Sequence, residues 1–550
     1  MTTKTALLVS LAIPLVCLAD DGYGPVGSQH APSAYKVPGD IVPGGAFIDR
    51  ILPIPVGDGP RTAAWGGKNV QPRVVENGLE DPAWHYWCMS VHPATDGTYH
   101  MYAVRWREDD PRGFNAWTDS HVVYATSTSP TGPFTFKKDI GSGHNVMCYR
   151  AKDDSYVLYV IDGGYHAPSI TGPWTKRKIQ YDHRGTQETD LGPNINMSNN
   201  TFTPREDGSV LMVSRLGTVW ISEDGLKPFR KITRESMYPK IPAHFEDPIV
   251  WRDEVQYHLV INDFWGRVAF YLRSPDGVNW NWDEGKAYDV NVVRHPDGKI
   301  EGWHKFERPN VLQDQHGRAT HFYLAVMDAP KDMDHTADGH SSKIVSLPLV
   351  VERRMEILPA SDDSKVRVKL LADPGFDPAT VDADTLRFGP PQAVNHGKGA
   401  KAVATTMSDG NLILTFDSMG GEFLPSDPVA KLLGKTKQGE LVLGHVRAPG
   451  HPGSVAILSP QPPRLTSPGS LSVIVENFGI KASAPSTVKI TLSGEGQQPV
   501  TVTAPVPELA PYAATEVTMK VDPKLVEGKS LQLETTVGDP NPASVIKTAL

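Results

Sequence analysis

Cysteine is nearly missing from this chain: Cys17, Cys88 and Cys148 are the only three in 550 residues. So few exclude a disulfide-built scaffold and a cysteine-rich zinc module. Long apolar runs are missing as well. No stretch reaches the roughly 18 residues needed to cross a bilayer, which predicts a protein without a membrane span. Nor is there an excess of positive charge. Lys and Arg total 54 against 63 Asp and Glu, a net charge of −9, which argues against a broad electrostatic footprint for nucleic acid.

Glycine and proline are abundant, at 49 and 48 residues. Punctuation that dense leaves little room for long helices and predicts an all-β chain of short strands joined by turns. The 39% hydrophobic content is enough to fill real cores, and the length predicts two to four domains.

The first residues read as an export signal. Lys4 gives a positive start, and the apolar run Ala6–Ala19 is too short for a membrane helix. Small residues suit cleavage after Ala19. A lipid anchor on Cys17 is disfavoured because Leu15-Val16 lacks the small residue expected directly before it. The expected mature protein is secreted or periplasmic. It keeps Cys88 and Cys148, which either pair or sit as small buried hydrophobes.

From about residue 77 to 351 one pattern recurs five times. A polar opening precedes an apolar strand, a second strand follows, and a third ends in a turn with Gly or Pro and an aromatic. The openings are Glu80-Asp81-Pro82, Gly143-His144-Asn145, Ser198-Asn199-Asn200, Glu246-Asp247-Pro248 and Glu307-Arg308-Pro309. Taken at Asp81, Asn145, Asn200, Asp247 and Arg308, the steps are 64, 55, 47 and 61 residues. Repeats of this length with three or four strands predict the blades of a five-bladed β-propeller. The fifth copy lacks a fourth strand, for which Phe47–Val56 (FIDRILPIPV) is the expected donor. In such a ring the innermost strands begin at one end of a central channel, so the five openings converge on one pocket.

Carboxylates gathered in a pocket suit hydrolysis of a glycosidic bond, which needs a proton donor on the leaving oxygen and a second carboxylate across the sugar. A third can hold the donor protonated by like-charge repulsion. The openings offer Glu80, Asp81, Glu246, Asp247 and Glu307, with His144 and His304 as further proton carriers. Asn145, Asn199 and Asn200 suit sugar hydroxyls. Trp84, Trp265 and Trp303 are candidate stacking platforms, within an aromatic cluster that also holds Trp87, Trp106 and Trp117. Arg308 suits either a buried partner for Asp247 or an anionic group of a substrate.

The openings GLEDPAWHYW, HFEDPIVW and WHKFERPNV and the turns SPTGPF and SPDGVNW resemble the five-bladed propeller glycoside hydrolases typified by families 43 and 117, over about 270 residues. The resemblance implies Asp81 as general base, Asp247 as modulator of the acid, and Glu307 with His304 as the acid region, Glu246 being the alternative donor. It also implies an exo-acting, inverting enzyme releasing a terminal sugar from a plant or algal glycan. No cofactor is required, although a structural divalent cation in the channel occurs in relatives.

After Val350 the character changes. A β-sandwich is expected over 352–458, a proline-rich linker at 459–464 and an immunoglobulin-like adhesion-type module over 465–550. Two other functions fit the same residues: a propeller polysaccharide lyase using Arg308 to neutralise a uronate, and a non-catalytic glycan-binding protein.

Overall fold

The computed structural model describes residues 35–186, 197–336, 338–359, 365–417, 419, 421, 423–424, 426–449, 451, 453, 455–495, 498–526 and 530–550. The expected export signal, residues 1–19, lies outside them. Among the described residues no helix is long and apolar enough to cross a membrane.

The chain is mostly strand, arranged in many small antiparallel sheets. The first sheet holds β1 (Trp84–Pro93), β2 (Tyr99–Arg107), β3 (His121–Ser127) and β4 (Thr135–Ser142). The second holds β5 (Met147–Arg150), β6 (Tyr156–Val160), β7 (Gly163–Ala167) and β8 (Thr175–Lys176). A short β9 (Tyr181–Asp182) leads to the third, made of β10 (Thr201–Pro204), β11 (Val210–Val213), β12 (Val219–Ser222) and β13 (Phe229–Lys231), and pairs in parallel with β13. The fourth holds β14 (Phe245–Arg252), β15 (Tyr257–Asp263), β16 (Val268–Ser274) and β17 (Asn281–Tyr288). The fifth holds β18 (Lys305–Gln313), β19 (Ala319–Met327) and β20 (Ser342–Pro348).

Within each sheet successive strands pair with their neighbours in sequence. The first strands touch in order, β1 with β5, β5 with β10, β10 with β14, β14 with β18, and β18 again with β1, so the five sheets surround a common axis. Neighbouring sheets cover both faces of the middle strands, which explains their continuous apolar runs; every residue of β15 is buried. The turns that end the third strands of the third and fourth sheets share one device. Asp224 Oδ1 accepts the Leu226 and Lys227 amides, and Asp276 Oδ1 accepts those of Val278 and Asn279.

Ring closure differs from expectation. Phe47–Arg50 is a 3-10 turn and not a strand; the pairing is a short one, with Ile51 bridging Leu349 just beyond β20, the Leu52 amide donating to the Pro348 carbonyl at 2.8 Å and the Val350 amide to the Arg50 carbonyl at 2.7 Å. Phe47 is committed elsewhere, with its ring against Trp251, Tyr271 and Phe322. A second bridge joins Leu79 to Ile344 on β20, so two separate points of the N-terminal stretch seal the ring.

Beyond Glu352 come two units of two sheets each. Leu414, Phe416, Phe388, Leu432 and Val442 fill the first, and Val473, Val475, Ile490, Leu492 and Leu533 the second. Both are held to the ring by buried polar contacts. Glu352 takes Arg50 Nη1 at 2.6 Å and His445 Nδ1 at 2.6 Å. Arg273 reaches Asp283 and Asp427, each at 3.0 Å. The expected linker at 459–464 is in part structural: Leu458–Pro460 is a strand paired with Ser470–Asn477, and Arg184 donates to the Ser459 carbonyl at 3.0 Å.

Candidate active site

Five residues with left-handed backbone angles mark the heads of the inner strands: Cys88 (φ 43°), Asn145 (59°), Asn199 (55°), Asp247 (58°) and Arg308 (53°). Asn and Asp tolerate this conformation, whereas Cys and Arg adopt it at a cost of about 1 kcal/mol or more. Where the inner strand continues through the point, in β1, β14 and β18, the ladder skips there, between Trp87 and Met89, Glu246 and Ile249, and Glu307 and Asn310. Such bulges re-aim side chains. The residues just before them, Trp87, His144, Ser198, Glu246 and Glu307, all face one cavity of about 510 Å³.

This geometry corrects the first opening. Glu80-Asp81-Pro82 looks like Glu246-Asp247-Pro248, yet the counterpart of Asp247 is Cys88, seven residues later. Asp81 is not among the cavity residues; its carboxylate accepts the Ala83 amide at 2.9 Å in a turn leading into β1. Glu80 is a buried clasp, 2.5 Å from Arg73 and 2.7 Å from Lys343 on β20. Burial alone would raise its pKa; the two cations bring it below the usual carboxylate range. Asp81→Ala is therefore expected to leave kcat/KM within about a factor of two, the size of ordinary surface changes. A steady-state comparison checks it, and a loss beyond tenfold returns Asp81 to the site.

Other candidates also lie outside the cavity. Trp303 is core, donating Nε1–H to Glu301 at 3.0 Å beside Trp65. Trp84 stacks under Arg105, whose guanidinium lies 3.9 Å from its ring centre. Trp265 packs on His244 at 4.1 Å. His304 is half-buried and is not a lining residue; its amide donates to the Met327 carbonyl. Asn200 lines a small space beneath the cavity, bonded to the Met197 carbonyl at 3.0 Å. Cys88 and Cys148 are buried free thiols, so the pairing left open by the sequence is not made.

His144, Asn145, Asn199, Glu246, Asp247, Glu307 and Arg308 do come together. Asn145 donates to Asn199, and Asn199 Nδ2 donates to Glu246 at 2.7 Å and to Asp247 at 2.8 Å. Asp247 also takes the Arg308 guanidinium at 2.5 Å and the Arg308 amide at 3.1 Å. Arg308 thus fills the channel mouth as the partner of Asp247. Among the described residues no group of three or more His, Cys, Asp or Glu ligand atoms converges in the channel.

The two glutamates are driven apart. Burial, then the adjacent Asp247 charge, pushes Glu246 up to about 7, against the pull of Arg215 at 3.3 Å. Burial also acts to raise Glu307, but Lys331 at 2.7 Å and Lys305 at 3.3 Å bring it down to about 2. Below about pH 7 Glu246 largely holds its proton while Glu307 stays ionised. His144, bonded at Nδ1 to Ser120 Oγ at 2.9 Å, is kept neutral by desolvation and by the charges of Arg308 and Lys331.

Aromatic walls complete the site. Trp87 and Phe114 meet edge to face at 5.0 Å, and Trp117 leans on His144 at 4.8 Å. Lys331, Arg215 and Phe114 come from connecting segments and carry no repeat signal; a lysine four residues beyond the end of β19 is unremarkable in sequence. Trp87 was within reach, since the alternation along β1 sends it to the face opposite Tyr86.

No protein-family model matches the chain, and no curated protein matches it in sequence. Similar solved structures include a sialidase at 10% identity and TM-score 0.27, the likeness covering 86% of this chain and 46% of that one. The chain thus spans about half the sialidase's length. Another is a mutant of the GH43 protein BlXynB from Bacillus licheniformis, at 9% identity and TM-score 0.31, covering 84% and 87%. A third is the GH32 β-fructofuranosidase BmSUC1 of Bombyx mori, at 12% identity and TM-score 0.20, covering 88% and 90%.

Proposed function

We propose that the chain is an exported glycoside hydrolase on a five-bladed propeller, followed by two β-sandwich modules of which the second is immunoglobulin-like. Glu246 is the general acid and Glu307 the partner carboxylate, which acts on water or on the anomeric carbon. Asp247 raises the acid's pKa, the modulating role the resemblance gave it. One observation carries the assignment: two glutamates heading neighbouring inner strands face the same aromatic-walled cavity, one beside a carboxylate and the other between two lysines. Chemistry of this kind needs one carboxyl protonated and one ionised at the same pH. The aromatic walls suit the apolar face of a sugar ring.

Arg308 speaks against the lyase. A uronate would have to compete with Asp247, which already holds the guanidinium at 2.5 Å. Incubation with plant and algal oligosaccharides decides between the functions. Hydrolysis releases sugars without ultraviolet absorbance, a lyase produces an absorbing double bond, and saturable binding without turnover defines a binding protein. With an active substrate, the rate is expected to fall as pH rises through about 7, where Glu246 loses its proton. Glu307 stays ionised down to about pH 2, so no matching acid limb is expected between pH 4 and 6. A profile flat from pH 6 to 9 removes Glu246 as the acid.

A further inference from the structure

Outside the cavity, His85 on β1, Glu108 just after β2 and Asp334 beyond β19 bring three ligand atoms within 4.8 Å of one another. The His85 and Asp334 side chains are 0% exposed and that of Glu108 is 14% exposed. His85 Nε2 lies 2.8 Å from Glu108 Oε2 and 3.4 Å from Asp334 Oδ2. Even so, His85 Nε2, Glu108 Oε2 and both Asp334 oxygens are buried without a hydrogen bond. Two carboxylates buried around a single imidazole nitrogen, with no aligned hydrogen bond among them, are costly unless something more sits between them.

Ser342 Oγ uses its only proton on the Tyr86 carbonyl at 3.1 Å, so its contact with His85 Nδ1 at 3.3 Å must be received from an Nδ1–H. Nε2 is then the nitrogen that faces the two carboxylates, the one a metal ion would take in place of a proton. The ring is held in place by stacking on Trp106 at 5.1 Å and by the edge of Phe114 at 6.1 Å.

We propose that His85, Glu108 and Asp334 bind a divalent transition ion, with Zn²⁺ as the best match, as a structural rivet beside the cavity. One imidazole nitrogen with two carboxylates suits zinc, whereas Ca²⁺ requires six to eight oxygens. A dication also neutralises two buried carboxylates, which a shared proton cannot do.

The ion ties three distant parts of the chain together where the cavity is built. Asp334 directly follows the 3-10 turn Lys331–Met333, whose Lys331 holds Glu307. Its backbone presses on the turn Gly113–Asp119, which carries Phe114 and Trp117; a Cβ at Gly113 would lie 1.9 Å from the Asp334 carbonyl.

Calorimetric titration of chelator-stripped full-length protein with ZnCl₂ tests the site. One ion per chain is expected, with a rise in melting temperature. Asp334→Asn and Glu108→Gln should each weaken binding by at least about tenfold, the smaller end of what even an outer partner of a metal ligand contributes. Glu108, at the edge of the cluster, provides the second variant if Asp334→Asn does not fold. Absence of stoichiometric Zn²⁺ or Mn²⁺ binding overturns the proposal, as does unchanged affinity in Glu108→Gln or a preference for Ca²⁺. None of these readouts depends on glycosidase activity.

Discussion

Glu246→Gln is expected to lower kcat by about 10²–10⁴-fold, the usual contribution of a general acid, while making the protein more stable at pH 8. The glutamine keeps the shape and the bond from Asn199 but cannot give a proton. The stability gain follows from the same environment that makes Glu246 an acid. Its folded pKa is raised to about 7 from the ordinary glutamate value of 4.5. The neutral form is therefore favoured by folding, a contribution fully present below pH 4.5 and lost as pH rises to about 7. Removing the charge should recover on the order of 1–3 kcal/mol at pH 8, and little at pH 4. Denaturant melts at the two pH values, run beside the activity assay, check both halves. A variant that retains activity moves the acid to another residue. One that is inactive but no more stable at pH 8 shows that Glu246 is not held protonated.

Arg308→Met carries the largest expected stability loss, about 3–5 kcal/mol, because it leaves the Asp247 carboxylate buried without its cation. Asn199 and the Arg308 amide still donate to Asp247, at 2.8 and 3.1 Å, but neither neutralises it. The double variant Asp247→Asn/Arg308→Met should recover most of the loss, since replacing both charges removes the uncompensated one. Chemical denaturation of the two single variants and the double variant measures the coupling. A loss under 1 kcal/mol for Arg308→Met alone would mean that the pair contributes little to closing the channel mouth.

Much of the ring was legible from the repeats. Middle strands such as Tyr257–Asp263 read as continuous apolar runs because sheets cover both their faces. The turns SEDGLKPF and SPDGVNW announced themselves through an Asp that folds the backbone onto its own carboxylate. These are local effects, written in a few adjacent residues.

The site was legible only in part. Glu246, Asp247, Glu307 and Arg308 stand at true strand heads, so matching them by spacing worked. Glu80-Asp81-Pro82 imitates that motif without the bulge, and its acid residues serve a clasp and a turn. Cys88, the real counterpart, shows no polar signal at all.

The sequence alone determined that the chain folds from short strands in repeated units, and that acidic side chains head at least two of them. Tertiary structure decided which polar openings reach the axis, and how each acid behaves there. Secondary structure follows from periodicity and turn chemistry within a few residues. The protonation of Glu246 and Glu307 depends on burial and on Asp247, Lys305 and Lys331, neighbours that only ring closure assembles.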